Sequence, residues 1–302
     1  MSNKARILVT GASGFLGSEL LRELEAHFYD VVSLTKRGVG RANSITGDIT
    51  LPGDWQNEVR TGGFTHLFHL AGCNKADDPS NFYKINVEGT RNLFDALRGS
   101  SVSWRLVASS GAVYGKQPDD LFPISETVAP EPLGDYAVSK LQQEKLATTL
   151  SRDVGVEKLC IVRISNLIGP GSSNEFFLGR IVEMVRRLAK GPTENRVLEL
   201  GCLEGTRDFL DVRDAAKALI KMMGVKACGT YNLGSGVEYS LHNIVDEVVK
   251  LGGVEGMRVV EDKSRFKSVI KRQVLDISAL VKLAGWRPQI ALKSSIRDML
   301  NA

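Results

Sequence analysis

Short apolar runs separated by helix-length amphipathic stretches dictate the architecture of the first half of this chain. "RILVT" (6–10), "VVSLT" (31–35), "HLFHLA" (66–71), "WRLVAS" (104–109) and "KLCIVRI" (158–164) read as strands. Helical patterns fall between them, over about 15–27, 80–98 and 135–153. Short β-branched runs that alternate with helices predict βαβ units, and therefore a parallel sheet with helices on both faces. The expected fold class is α/β, a doubly wound parallel sheet.

The chain changes character after "GPG" (169–171). A helix near 176–190 precedes "RVLEL" (196–200), "RDFLDVRDAAKALIKMM" (207–223), "YNLGS" (231–235) and helices near 241–251 and 277–284. No repeat, low-complexity tract or long linker separates the parts. We expect residues 1–168, which also receive 206–232, to form one domain, with 169–302 as a smaller α/β domain packed against it. At 302 residues, 43% hydrophobic and 25% charged, the composition is that of a soluble globular protein. No apolar run reaches membrane-spanning length, and "MSNKARILVTG" enters a strand without a signal-peptide stretch, so a cytoplasmic protein without a membrane partner is expected. A formal charge of +4 is too mild to argue for nucleic acid but favours an anionic ligand. Cys73, Cys160, Cys202 and Cys228 lie far apart with no CxxC pair, and the four histidines do not cluster. Free thiols in a reducing compartment and no metal site are expected.

"TGASGFLG" places Gly11, Gly14 and Gly17 between the first strand and the first helix. Gly11 permits a tight turn, Gly14 lets the backbone approach a pyrophosphate at the helix N-terminus, and Gly17 lets helix and strand pack closely. Such a turn, between strand and amphipathic helix, predicts a Rossmann-type dinucleotide site. A site that selects an unphosphorylated ribose has an acid about 20 residues further on. Here Thr35, Lys36 and Arg37 end the second strand instead. A hydroxyl and two cations suit a 2′-phosphate, so NADP(H) is preferred, with NAD(H) as the alternative.

"SSGAVYG" (109–115) ends a strand at the sheet edge where ligands of open α/β folds bind, and "YAVSK" (136–140) starts a helix. Tyr136 and Lys140, four apart, share one helix face. A phenol titrating near ~10 is a poor acid–base group at neutral pH, and a nearby ammonium is expected to lower it. A serine hydroxyl bonded to the same oxygen would hold a carbonyl in place, which suits proton exchange between an alcohol and a ketone.

These stretches, with "GDI" (47–49), "HLAG" (69–72), "INVEGTRNL" (85–93) and "RISNLIGPG" (163–171), resemble the extended short-chain dehydrogenase/reductases along nearly the whole chain. That resemblance implies an oxidoreductase acting on a nucleotide-diphosphate sugar. It implies Ser110 as the catalytic hydroxyl, with Ser109 as the competing assignment, Tyr136 as acid–base and Lys140 as its partner. It further implies that Asp48 and Ile49 contact adenine and that Ser13, Phe15, Leu16, Leu70, Ala71, Gly72 and Ile164 line the cofactor. Asn86 would support the site, and Asn166 would lie near nicotinamide and sugar. A homodimer through the helices at 80–98 and 135–153 is also implied.

The related 4,6-dehydratases carry an Asp-Glu pair after the catalytic hydroxyl, where this chain has Gly111 and Ala112, so water elimination is not expected. "LELGCLEGTRDFLDVRDAAKAL" (198–219), "YNLGSG" (231–236) and "LAGWRPQIALKSSIRDML" (283–300) resemble the reductases of GDP-4-keto-6-deoxymannose, which make GDP-rhamnose. By that resemblance Arg207 meets the diphosphate, helped by Arg265 or Arg272. The expected function is NADPH-dependent reduction of a 4-keto-6-deoxy nucleotide sugar. A nucleotide-sugar 4-epimerase with tightly held NAD(P) is the alternative, and a non-catalytic NADP(H)-binding regulator is a third reading.

Overall fold

The computed structural model describes residues 5–37, 43–153, 158–191, 196–265 and 270–302. In chain order the first strands are β1 (Arg6–Thr10), β2 (Asp30–Thr35), β3 (Ser44–Thr46), β4 (His66–His69), β5 (Trp104–Ser110) and β6 (Lys158–Ile164). Short strands follow at β7 (Asn166–Ile168), β8 (Val197–Gly201), β9 (Thr206–Arg207), β10 (Phe209–Asp211), β11 (Gly229–Leu233), β12 (Tyr239–Ser240) and β13 (Arg258–Asp262). The helices are α1 (Phe15–Ala26), α2 (Trp55–Thr61), α3 (Ser80–Tyr83), α4 (Gly89–Ala96) and α5 (Asp135–Asp153). The second half adds α6 (Phe177–Lys190), α7 (Val212–Gly224), α8 (Leu241–Gly252), α9 (Ser278–Ala284) and α10 (Leu292–Asn301).

Seven strands form one parallel sheet in the order β11-β6-β5-β4-β1-β2-β3. The chain runs outward from β1 through β2 and β3, then crosses back to β4 on the other side of β1. That reversal leaves a crevice at the carboxyl ends of β1 and β4, where the connections part in opposite directions. Leu20, Leu21 and Leu24 of α1 pack with Leu219, Met222 and Met223 of α7 on one face. Trp55 and Val59 of α2, Leu93 and Phe94 of α4, and Ala147 and Leu150 of α5 cover the other. Leu8 and Leu67 are wholly buried between, each worth about 1.5–3 kcal/mol of transfer free energy. A separate core of α6, α8, α10 and Leu198 of β8 forms the smaller layer. β11 returns the chain to the edge of the main sheet after this second layer has begun.

The single helix expected over 80–98 is divided. Between α3 and α4 the chain makes a π-helical turn, Lys84–Glu88, and the helix ends at Ala96. The extra residue in that turn carries Asn86 inward, where it is fully buried. The sequence pattern does not announce α2, α10, β13 or the short strands β3, β7 and β12. In α10 the buried residues are only Ser295, Ile296 and Met299, too sparse a stripe to announce a helix, and much of β13 is exposed. Among the described residues no helix is long and apolar enough to cross a membrane.

Candidate active site

The glycine turn is built by close contact. Gly11 has φ +71°, and a Cβ there would stand 2.5 Å from the Ala71 amide nitrogen at the end of β4. A Cβ on Gly17 would stand 2.1 Å from the Gly11 carbonyl, so α1 is pressed against the turn. Gly14 is different. Its Cβ would find only the Gly11 carbonyl, at 3.2 Å, which leaves this stretch of backbone approachable. Gly14 caps α1 without a side-chain hydrogen bond and the first turn has no acid, so the amides opening the helix remain available to an anion. Ser13, Gly14 and Phe15 face a cavity of about 280 Å³ that Pro170, Gly171 and Phe176 close from the opposite side. Leu16 follows on α1 and packs against the core. Gly17→Ala is expected to cost about 1–3 kcal/mol by overpacking and to weaken dinucleotide binding, measured by thermal melting and by cofactor titration of the folded variant.

At the end of β2, Thr35 is buried and its hydroxyl has no hydrogen-bond partner. Lys36 Nζ lies 2.8 Å from Asp48 Oδ2. Burial pushes the Asp48 carboxyl up, but Lys36 and the Thr50 amide and hydroxyl outweigh it and hold the group at about 2. Ile49 packs on the Cβ-free face of Gly89, and its carbonyl accepts from Asn92 Nδ2 at 2.8 Å. Arg37 is exposed beside this group. An orphaned buried hydroxyl, two cations and an open helix N-terminus fit a dinucleotide laid across the crevice.

The next strands carry the chemistry. Ser109 and Ser110 end β5 pointing to opposite faces, as alternation along a strand requires. Ser109 donates at 2.5 Å to Glu144 Oε1, and Glu144 is held at 2.8 Å and 3.1 Å by the Arg163 guanidinium. That serine is consumed by a buried ion pair. Ser110 Oγ accepts from the Ala112 amide at 3.1 Å and stands near enough to the Tyr136 phenol to act on its pKa. Burial is the largest influence on Tyr136 and raises its pKa, with Ser110 pulling the other way. The expected lowering by Lys140 is therefore not the controlling effect here, and the phenol is kept protonated. Phe82 packs on the Tyr136 ring with centroids 5.9 Å apart.

Lys140 is buried, one helical turn beyond Tyr136. Its Nζ donates to the Ala108 carbonyl at 2.6 Å and to Gln143 Oε1 at 2.5 Å. Desolvation lowers its pKa to about 8, against an upward pull from Glu144. A Cβ on Gly72 would lie 3.1 Å from Asn86 Oδ1 and 3.6 Å from Lys140 Nζ, a tight fit that would require Asn86 to give slightly. Asn86 accepts from the Cys73 amide at 2.8 Å and donates to the Cys73 carbonyl at 3.0 Å and to Ser139 Oγ at 2.9 Å. Ile164 is the sheet partner of Ser110, and Leu70 meets the Gly11 turn. The chain thus gathers the glycine turn, residues 70–72, Asn86, Ser110, Tyr136, Lys140 and Ile164 at one sheet edge.

The expected substrate cations each engage acceptors of the protein. Arg207 donates to the Thr206 and Ile270 carbonyls at 2.7 Å and 2.8 Å, and burial lowers its pKa. Arg265 pairs with Asp262 at 3.0 Å. Arg272 makes two 2.7 Å bonds to Glu238 and stacks on Phe122 at 4.7 Å. Asn166 Nδ2 donates to the Asp208 carbonyl at 2.9 Å, tying β7 to the stretch before β10. Sequence reasoning missed Phe82, Gln143 and Glu144. The last two stand three and four residues beyond Lys140, where helical spacing brings them beside it.

A crevice at a topological switch point, with a glycine turn, and a Ser–Tyr–Lys group at the neighbouring strand end, defines a dinucleotide-dependent enzyme of carbonyl–alcohol chemistry. The sequence pattern of the NAD dependent epimerase/dehydratase family matches residues 7–234, and the chain belongs to that family. It is 32% identical to GDP-6-deoxy-D-mannose reductase of Pseudomonas aeruginosa over 98% of this chain and 96% of that protein. The structure of RMD from Pseudomonas aeruginosa complexed with NADPH superposes with a TM-score of 0.88 at 30% identity, covering 99% of this chain and 98% of that one. UDP-glucose 4-epimerase of Thermus thermophilus in complex with NAD gives a TM-score of 0.82 at 25% identity, covering 98% of each chain.

Proposed function

We propose that this protein reduces the C4 ketone of a nucleoside-diphosphate 4-keto-6-deoxyhexose, with GDP-4-keto-6-deoxymannose as substrate and NADPH as reductant. The observation that carries the reading is a Tyr136 phenol kept protonated by burial, beside Ser110, in the crevice that the glycine turn opens. Similarity to GDP-6-deoxy-D-mannose reductase supports the substrate class. The dinucleotide, when bound, supplies hydride to C4. Tyr136 delivers its phenolic proton to the developing C4 alkoxide, so the ketone becomes a secondary alcohol and the phenolate is reprotonated from solvent. Ser110 Oγ holds the same oxygen, and Lys140 stabilises the phenolate left after transfer. Asn86 fixes the loop at 72–74 against α5 and so orients the edge of the site.

Residues 1–168 with 206–232 hold the cofactor in this reading, and 169–302 the nucleotide sugar. Lys36, Arg37 and the Thr35 hydroxyl receive the 2′-phosphate. Each charge-assisted bond is worth about 1.5–3 kcal/mol. Lys36→Ala with Arg37→Ala is therefore expected to raise KM for NADPH at least ~30-fold and to leave KM for NADH within about threefold, by initial-rate kinetics. The same reading places a homodimer in the cytoplasm, where nucleotide sugars and NADPH are both found. The first test is nicotinamide absorbance with GDP-4-keto-6-deoxymannose: NADPH is consumed in stoichiometric amount and only when the sugar is present. Flat absorbance, together with bound NAD and interconversion of a C4 epimer pair, would assign the chain to the 4-epimerases that it also resembles.

A further inference from the structure

A chain of buried side chains runs from the glycine turn to Lys140, and the reaction above uses none of its middle members. Thr10 Oγ1 accepts from the Ala71 amide at 3.2 Å and meets His69 Nδ1 at 2.7 Å. His69 Nε2 meets Thr90 Oγ1 at 2.8 Å, and Gln143 Nε2 donates to the same oxygen at 2.9 Å. Thr90 in turn donates to the Asn86 carbonyl at 2.6 Å. Thr10, His69, Thr90 and Gln143 are all fully buried.

Proton counting leaves one arrangement. Thr90 has a single hydroxyl proton and spends it on the Asn86 carbonyl, so it must accept from both Gln143 Nε2 and His69 Nε2. His69 therefore carries its proton on Nε2, and its Nδ1 accepts from Thr10. Burial, reinforced by Lys140, lowers the imidazole pKa to about 3, so the ring stays neutral. With Gln143 Nε2 committed to Thr90, the amide cannot flip, and Oε1 faces Lys140 Nζ. An amide held by one end presents its other end at a fixed point.

We propose that Gln143 is a positioning residue: it fixes where the Lys140 ammonium sits and ties it, through Thr90 and His69, to the strand end that carries the Ala71 amide. The role of Lys140 in this inference rests on the reaction proposed above. The charged and titratable groups around the ammonium are few. Glu144 and Tyr136 come from its own helix, His69 from β4, Cys73 from the loop after it, and Arg163 from β6 neutralises Glu144. Gln143 supplies the neutral side-chain acceptor in direct contact with Nζ. Removing it costs the protonated lysine, whose hydrogen bond to that oxygen is charge-assisted, more than the neutral amine, whereas an acid there favours the protonated form.

The test is an NMR titration of 13Cε-labelled lysine, with Lys140→Met to assign the resonance, on the full chain and on Gln143→Leu and Gln143→Glu. Gln143→Leu is expected to lower the Lys140 pKa by at least about half a unit, and Gln143→Glu to raise it. In parallel, kcat for sugar reduction by Gln143→Leu is expected to fall roughly 10–100-fold, with KM for NADPH changed less than about threefold. Superimposable Lys140 titrations in folded variants, or shifts in the same direction in both, would overturn the proposal. If Gln143→Leu does not fold, the near-isosteric Gln143→Glu carries the test alone. A chain that reduces no 4-keto sugar but shows the opposed shifts would remove the substrate reading and leave the positioning role in place.

Discussion

Tyr136→Phe is expected to lower kcat for reduction by about 10²–10⁴-fold while the dissociation constant for NADPH changes less than about threefold. Burial raises the pKa of this phenol and keeps it protonated, and Phe retains the ring that packs on Phe82. Stopped-flow absorbance gives the rate, and quenching of nicotinamide fluorescence gives the affinity. The result separates two classes of function. A regulatory protein that only senses NADP(H) would lose nothing with the hydroxyl, because binding is all it does. Unchanged turnover in Tyr136→Phe would remove the tyrosine from the reaction.

Arg163→Met is the change expected to harm the fold most. The Arg163–Glu144 pair is buried on both sides, and Glu144 also accepts from Ser109. Removing the guanidinium strands a carboxylate in the core, at a cost of about 3–5 kcal/mol. In a chain of 302 residues each kcal/mol moves Tm by about 1.6 °C, so a fall of roughly 5–8 °C is expected by calorimetry. The double variant Glu144→Leu with Arg163→Met should recover most of that loss, since an apolar pair of similar volume replaces two charges. A double variant no more stable than Arg163→Met would show that the pair matters through its other contacts, Tyr114 stacked at 4.8 Å among them.

The parts of this molecule that follow from local pattern were legible in its sequence. β6 and α5 span 158–164 and 135–153, as expected from the sequence; an apolar run specifies its own burial in β6, while α5 buries a largely polar face with Ser139, Lys140, Gln143 and Glu144. The glycine turn was equally plain: two of its three glycines meet backbone at distances that exclude a side chain. The serine question was not legible. Ser109 and Ser110 are chemically identical neighbours, and only strand alternation against α5 gives one to Glu144 and the other to Tyr136. The lysine's setting was hidden for a related reason. Its partners are a strand carbonyl and a glutamine amide oriented by Thr90, 53 positions away from that glutamine along the chain. The arginines of the second half illustrate the limit most clearly. Arg272 finds Glu238 across 34 residues, a pairing that no spacing announces.

Asp208 lies where three segments of the chain meet. Its wholly buried carboxylate takes the Ser235 amide and hydroxyl, the Gly236 amide and the Leu275 amide, while its own carbonyl holds Asn166. Burial pushes the pKa of that carboxyl up, and these donors offset only part of the rise. The seam between sheet and second layer is therefore riveted at one atom group, and pulling any one strip away would leave a buried acid short of donors. The solvent-exposed ion pair of Lys75 with Glu175, at 2.9 Å, is by contrast one that costs little to break.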